Sequence, residues 1–460
     1  MKRRISIVGL GKLGSCMAAA IASKGHDVWA VDVNDRVVDA LRRGDAPVQE
    51  PGLQELIASN RSRLHPTGSY DEAVVETDLT FVVVPTPSDE RGAFSLVYAA
   101  DAFRRIGAAL AGKRDGHAVV LTSTVLPGAT RFGLLPILEA QAGRSAGPTL
   151  RVCYSPEFIA LGSVIRDFLH PDFLLIGEYD AAAGDELEAC YRDIVGDAPV
   201  RRMTLENAEV AKLAVNAFVT TKITFANMLA ELCARIPNGD VDVVSDALGL
   251  DSRIGRKYLT GGLGFGGPCF PRDNAALTFT ADALGACADV SVAVARVNES
   301  SADRIVRHIT PQLPAAGTIG ILGLSYKPLS NVIEESQAIR IARALLDRSF
   351  RVVAYDPLAG AAAAAELGGR ALIADSARAC IRSADAVLIA TPDPEFRTLT
   401  AEDFVAPDRQ RLVIDFWRLL SGRLANRADV QYWPYGCGDA ATGASILRDL
   451  WSIPETSTRT

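Results

Sequence analysis

Three observations predict an α/β protein made of two doubly wound domains joined by a central helical domain. A short apolar strand, Ile5-Ser-Ile-Val8, runs into Gly9-Leu-Gly-Lys-Leu-Gly14 and an alanine-rich helix. A similar strand, Thr318-Ile-Gly-Ile-Leu-Gly-Leu324, opens a second α/β stretch late in the chain. Between them, Leu205 to Ala234 has helical periodicity and no internal glycine or proline. The expected division is a Rossmann-type domain at 1–198, a helical domain at 199–300, a second Rossmann-type domain at 310–450 and a disordered tail at 451–460.

At 460 residues the chain is too long for a single core, and 48% hydrophobic with 22% charged residues is an ordinary globular balance. A formal net charge of -7 argues against a nucleic-acid surface. The eight cysteines are scattered without a C-x-x-C pair, and the five histidines form no cluster, so neither a disulfide framework nor a metal site is expected. No apolar run reads as a bilayer span, and Met1-Lys-Arg-Arg leads straight into a strand; the expectation is a cytoplasmic protein with no membrane partner.

The first domain carries a dinucleotide fingerprint in its required context. Gly9 permits the tight turn, Gly11 lets a pyrophosphate reach the backbone, and Gly14 allows close helix packing. The following helix offers amides and a partial positive charge at its N-terminus. A second strand, Asp27-Val-Trp-Ala-Val31, ends at Asp32, whose carboxylate suits ribose hydroxyls and repels a 2′-phosphate. NAD is therefore expected in preference to NADP. Further strands at Leu79–Val84, Ala118–Thr122 and Phe173–Ile176 continue the alternation to about residue 195. Polar residues gather at strand ends, where open parallel sheets bind ligands: Thr86 in Pro85-Thr-Pro87, Thr124 in Ser123-Thr-Val-Leu-Pro-Gly128, and Glu157 in Pro156-Glu-Phe158. Each is also an ordinary turn or cap residue.

In the long helix, Glu209, Lys212, Asn216 and Thr220 recur every three or four residues and share one face, either a ligand-facing stripe or a solvated one. The loop Gly261-Gly-Leu-Gly-Phe-Gly-Gly-Pro-Cys-Phe-Pro-Arg-Asp273 follows, with glycine at five of its first seven positions. Such a loop lets main-chain amides approach a ligand and holds Cys269 at the tightest part of the chain, with Asp273 four residues on. A second helical stretch is expected from Asp273 to about Asn298. In the last domain Ser325-Tyr-Lys327 replaces the later glycines of the fingerprint, so a second dinucleotide is not expected there; a sugar nucleotide is, with Lys327 reaching its phosphates or sugar.

Taken together, these motifs resemble the UDP-glucose/GDP-mannose dehydrogenase family from Ile5 to about Arg418. Glu50-Pro-Gly-Leu53, Arg253-Ile-Gly255 and Tyr326-Lys-Pro328 belong to the same ordered series. The resemblance implies oxidation of the C6 alcohol of a nucleotide sugar to a carboxylate, with two hydrides passed to two NAD. It implies Cys269 as nucleophile, Lys212 and Asn216 as oxyanion donors, Asp273 and Thr124 in proton transfer through water, and Glu157 as an assisting carboxylate. Cofactor contacts would come from Gly9, Gly11, Leu13, Gly14, Asp32, Thr86, Thr124 and Arg272. Substrate contacts would come from Glu157, Phe158, Lys212, Arg253, Tyr258, Gly266 and Lys327, with Arg253 supplied by a neighbouring subunit of a homodimer. Against the family pattern, Arg272 stands for the usual Lys, Pro268 for the usual Ser, and Ile333-Glu-Glu-Ser336 replaces a cation with an anion.

UDP-glucose is the first expectation for the substrate, with UDP-N-acetylhexosamine and GDP-mannose as alternatives. Two other readings stand beside it. A two-electron 3-hydroxyacid dehydrogenase needs neither the cysteine nor residues 318–420, and a non-catalytic binder of NAD or sugar nucleotide would use the same folds.

Overall fold

The computed structural model describes residues 2–407 and 409–451, so the expected tail falls, from 452 onward, outside the described residues. Two compact units result. Among the described residues, one contains 2–215 with Ala275–Cys287, and the other Asn216–Asn274 with those from Ala288 onward.

The first unit is built on an eight-stranded sheet: β1 (Arg4–Val8), β2 (Asp27–Val31), β3 (Leu64–Thr67), β4 (Leu79–Val82), β5 (His117–Leu121), β6 (Leu150–Tyr154), β7 (Leu174–Glu178) and β8 (Val200–Thr204). Their order is β3-β2-β1-β4-β5-β6-β7-β8, which begins as the doubly wound 3-2-1-4 arrangement. All neighbours are parallel except β6 and β7, which run antiparallel. Strands β4 and β5 are buried along their whole length, as expected where helices cover both faces of a parallel sheet. Alternate residues feed two cores. Ile5, Ile7, Phe81, Ala118 and Val120 pack on one face, and Val8, Val82, Val119 and Leu121 on the other.

The second unit repeats the plan with β9 (Thr318–Leu322), β10 (Arg351–Tyr355), β11 (Leu372–Ile373), β12 (Ala386–Ile389), β13 (Arg411–Asp415) and β14 (Val430–Pro434). The order β11-β10-β9-β12-β13-β14, parallel throughout, is the full doubly wound pattern. Ala386 and Leu388 enter one core while Val387 and Ile389 enter the other.

The long helix Leu205–Cys233 begins in the first unit and continues in the second. It departs from the usual amphipathic rule, burying polar residues beside Leu205, Leu213 and Ala226. Glu209 and Thr220 are fully buried and Lys212 and Asn227 nearly so, whereas Phe218 is 66% exposed and Phe225, Met228 and Leu232 are also open. The polar stripe is therefore an internal, protein-facing one and not a solvated face. By length and composition this helix could cross a membrane, which corrects the expectation that no apolar run is long enough.

The expected second helix is two: Phe270–Ala283 and Asp289–Glu299, separated by a turn in which Gly285 takes φ +69°. The first starts ahead of Asp273 because Pro271 is tolerated in a first turn, where its missing N–H has no helical partner to lose.

Within the second unit, Arg418 ties helix Val241–Gly249 to the sheet. Its guanidinium pairs with both Asp242 oxygens at 2.7 and 2.9 Å and donates to Phe416 O and Tyr435 O. Replacing Arg418 by Met strands two carbonyls and a carboxylate at a cost of about 2 kcal/mol, Asp242 regaining some hydration. A fall of several degrees in the melting temperature is expected, read by calorimetry; an unchanged value would show the fork to be dispensable.

Candidate active site

In the first unit the glycine fingerprint divides its work as expected. Gly9 takes φ +94°, and a Cβ added there would lie 2.3 Å from Val83 O. A Cβ at Gly14 would lie 1.8 Å from Gly9 O, so the helix Lys12–Ser23 can approach the strand only without one. A Cβ at Gly11 would meet nothing within 4 Å, which leaves its backbone open to a ligand. Leu13, in the first turn of that helix, is half-buried. Asp32 accepts Leu10 N at 2.7 Å and Asn34 N at 2.8 Å, one on each oxygen, and keeps lone pairs for ribose hydroxyls. These residues fit NAD. At the equivalent strand end of the second unit, Asp356 accepts the Leu324, Ser325, Leu358 and Ala359 amides and the Ser325 hydroxyl, which saturates its carboxylate.

At the ends of β4 and β5, Thr86 is buried and its hydroxyl donates to Thr124 O at 2.7 Å. Ser123 binds both main-chain polar groups of Val84, which fixes the two strand ends side by side. Beyond Thr124 the loop is held by Glu209, whose carboxylate accepts Gly128 N and Thr130 N. Burial raises the Glu209 pKa, and the two amides work against that shift.

Glu157, Phe158 and Lys212 form one cluster in the same unit. Lys212 Nζ donates to Glu157 O at 2.5 Å and lies 4.6 Å from the centre of the Phe158 ring, which itself stacks on Phe173 at 4.8 Å. Burial pushes the Glu157 carboxyl up to about 7, while Lys212 and the Tyr191 hydroxyl pull it back. A carboxyl so poised can exchange protons near neutrality.

In the second unit Cys269 is exposed and immediately precedes helix Phe270–Ala283, its carbonyl accepting Asp273 N at 2.8 Å. Six other cysteines, at 16, 153, 190, 233, 380 and 437, have thiols pushed up by burial. Such thiols are poor nucleophiles. Asp273 is 1% exposed; its carboxylate accepts Asn216 Nδ2 at 2.6 Å and faces the Arg272 guanidinium at 3.4 Å. Asn274 donates to Thr220 at 2.7 Å. Asn227 accepts Gly262 N at 2.8 Å and donates to Leu263 O at 3.1 Å. The buried stripe of the long helix thus fastens both the glycine loop and the start of the next helix.

The glycines of the loop also meet a packing requirement that the sequence does not reveal. A Cβ at Gly264 would lie 2.4 Å from Asn298 Oδ1, and one at Gly266 would lie 2.4 Å from Glu335 O. Gly267 takes φ +83° with the Tyr326 ring 2.5 Å from its added Cβ. These glycines admit neighbouring protein, and Gly266 is buried. Around the loop, Tyr258 is half-exposed with φ +66° and meets Phe270 edge-on at 6.5 Å. Lys327 Nζ lies 5.7 Å from the Tyr326 ring centre. Arg253 is exposed, and its guanidinium pairs with Asp251 at 2.6 Å.

An NAD-binding sheet, a second doubly wound sheet whose strand-end Asp is already saturated, and a cysteine loop fastened to a central helix define an NAD-dependent oxidoreductase of nucleotide sugars. Residues 3–195, 206–300 and 320–422 match in turn the NAD binding, central and UDP binding domains of the UDP-glucose/GDP-mannose dehydrogenase family. The chain belongs to that family and is a nucleotide-sugar 6-dehydrogenase. It is 38% identical to UDP-glucose 6-dehydrogenase of Haloferax volcanii over 91% of this chain and 97% of that protein. Identity to GDP-mannose 6-dehydrogenase of Pseudomonas aeruginosa is 34%, covering 77% and 81% of the two chains. The structure of a UDP-glucose dehydrogenase from Pyrobaculum islandicum superposes with a TM-score of 0.83 at 36% identity, covering 95% of this chain and 98% of that one.

Sequence reasoning missed Asn227, Asn274 and Tyr191 and left Glu209 without a role. Asn227 lies seven residues after Thr220, on the same face, and that continuation was the available signal. Replacing Asn227 by Ala leaves Gly262 N and Leu263 O buried without that partner, at about 1–3 kcal/mol. Lower thermal stability and a slower Cys269 reaction are expected by calorimetry and thiol titration; wild-type values in both would show that the loop holds itself.

Proposed function

We propose that the enzyme oxidises the C6 alcohol of UDP-glucose to the carboxylate of UDP-glucuronate, in two two-electron steps with two NAD per turnover. One observation carries this reading: Cys269 is an exposed thiol at the start of a helix, on a loop that buried side chains hold in place. The substrate follows the Haloferax relative, whose name is UDP-glucose 6-dehydrogenase and which matches over nearly its whole length. GDP-mannose and UDP-N-acetylhexosamine are the competing sugars, the first because GDP-mannose dehydrogenases are 34% identical.

Gly9, Gly11, Leu13, Gly14, Asp32, Thr86, Thr124 and Arg272 would hold NAD, which when bound would supply the hydride acceptor for each oxidation at C6. Lys212 and Asn216 donate hydrogen bonds to the C6 oxygen as it gains negative charge. Asp273 receives the hydroxyl proton through a water, and Thr124 orders water. The Cys269 sulfur adds to the aldehyde carbon; the carbonyl electron pair moves to oxygen and takes a proton, giving a thiohemiacetal. Loss of the second hydride and of that proton gives a thioester. Water then adds at the same carbon, the C–S bond breaks, and the carboxylate leaves with the thiol restored. Glu157 assists as a carboxylate base. Covalent capture keeps a reactive aldehyde from escaping.

Phe158, Arg253, Tyr258, Gly266 and Lys327 grip the nucleotide sugar, with Arg253 reaching a neighbouring subunit's substrate. The homodimer is assigned to the exposed apolar stripe of the long helix, Phe218, Phe225, Met228 and Leu232, because a soluble surface rarely leaves such a stripe uncovered. We assign the enzyme to the cytoplasm, and the domain limits 1–198, 199–300 and 310–450 to its three family modules.

A panel of nucleotide sugars assayed for NADH tests the substrate: two NADH per UDP-glucose are expected, and one would mark a two-electron enzyme. Cys269→Ser is expected to lower turnover by roughly 10³-fold or more while NAD affinity, measured by calorimetry, stays unchanged. Turnover near the wild-type value would remove the covalent route. A base must be unprotonated to act, so the rate is expected to rise with pH through about 7, the value to which Glu157 is pushed. Glu157→Gln flattens that limb in the pH–rate profile; a limb that persists belongs to another group.

A further inference from the structure

A second anion-binding pocket lies in the second unit, formed by the end of the long helix, helix Ser301–Ile309 and the chain just after β14. Its volume is about 300 Å³, and its walls include Glu231, Arg235, Arg304, Arg307, His308 and Tyr435. This volume is at the lower end of the range for small-ligand sites. None of these residues belongs to the fingerprint, the cysteine loop or the Glu157 cluster.

The charge is unbalanced. Three guanidinium groups face one carboxylate, and that carboxylate is engaged by Arg304 Nη2 at 3.0 Å. Arg304 also donates to Ser300 at 3.3 Å, and its Nε is buried with no acceptor among the described residues. Arg235 donates to the main-chain oxygen of Glu231. Arg307 is exposed and makes no hydrogen bond or ion pair among the described residues. The pocket floor adds an independent observation. Tyr435 is 3% exposed, its ring packs on Phe416 at 5.1 Å, and its hydroxyl makes no hydrogen bond among the described residues while its side chain lines the cavity. A hydroxyl that opens onto a cavity rimmed by cations and has no partner among the described residues is suited to an acceptor brought in from outside. His308 packs edge-on against Trp433 at 5.3 Å and lines the same space.

We propose that this pocket binds a phosphate or diphosphate group, held by the guanidinium groups of Arg235, Arg304 and Arg307 with the Tyr435 hydroxyl donating from below. Guanidinium forks match the geometry of phosphate oxygens, and three of them suit a multiply charged anion better than a single carboxylate. The bound group is inorganic phosphate, pyrophosphate or the phosphate of a small ester, and it occupies a place distinct from the substrate's own diphosphate.

The full-length enzyme, saturated with NAD and UDP-glucuronate so that the substrate sites are filled, is titrated calorimetrically with inorganic phosphate, pyrophosphate and glucose 1-phosphate. One site per chain is expected for at least one of the three. Arg307→Ala removes a side chain with no structural partner, and Tyr435→Phe keeps the packed ring. The first is expected to weaken binding by roughly tenfold and the second by severalfold. Circular dichroism and melting temperature of both variants should match the wild type. The proposal is overturned by no saturable binding at millimolar concentrations, by equal binding in Arg307→Ala, or by equal competition from chloride.

Discussion

The stripe Glu209, Lys212, Asn216, Thr220 and Asn227 is the constraint from which the functional geometry follows. Polar side chains on the inward side of a helix must find partners, and each of these does so on a segment that carries a candidate site residue. Within the first unit, Glu209 holds the loop that follows Thr124 and Lys212 meets the Glu157 carbonyl. Within the second, Asn216 and Thr220 hold the start of the Cys269 helix and Asn227 holds the glycine loop. A slip of one residue in the helix would present apolar side chains to nearly all of these partners, so the register is fixed by the cost of leaving amides and carboxylates unsatisfied.

Much of this was legible in the chain. The first sheet could be read because its strands carry continuous apolar runs and its turn carries three glycines with separate steric duties. The second was visible through its echo of the first. What escaped had physical reasons. Strand β3 contains His65-Pro66 and lies at a sheet edge, where proline is allowed but gives no sequence signal. The start of helix Phe270–Ala283 was hidden by Pro271. Burial cannot be read from periodicity: the Glu209 to Thr220 spacing fits an inward or an outward stripe equally, and only packing distinguishes them. The glycine loop taught a related lesson. Its composition announces close approach, yet composition is silent on whether the approaching atoms belong to a ligand or, as at Gly264 and Gly266, to Asn298 and Glu335.

The Glu157 cluster shows how one aromatic ring can serve two purposes. Phe158 offers its π-face to Lys212, and the same apolar surroundings deprive the neighbouring Glu157 carboxylate of water. The cation is steadied while the acid is made weaker, so the Glu157 carboxyl can exchange a proton near neutral pH without leaving its place.

The two doubly wound sheets end their second strands with the same residue, Asp32 in one and Asp356 in the other, yet the two carboxylates have opposite fates. Asp32 holds its turn with one amide on each oxygen and remains receptive to visitors. Asp356 is consumed by its own loop, five donors deep, and Ser325 stands where a small residue would leave room. Duplicating a nucleotide-binding architecture thus need not duplicate its ligand: internal hydrogen bonding can retire a recognition group while leaving the scaffold intact. Restoring a ribose contact in the second sheet would demand dismantling that inner network, not merely reinstating glycines.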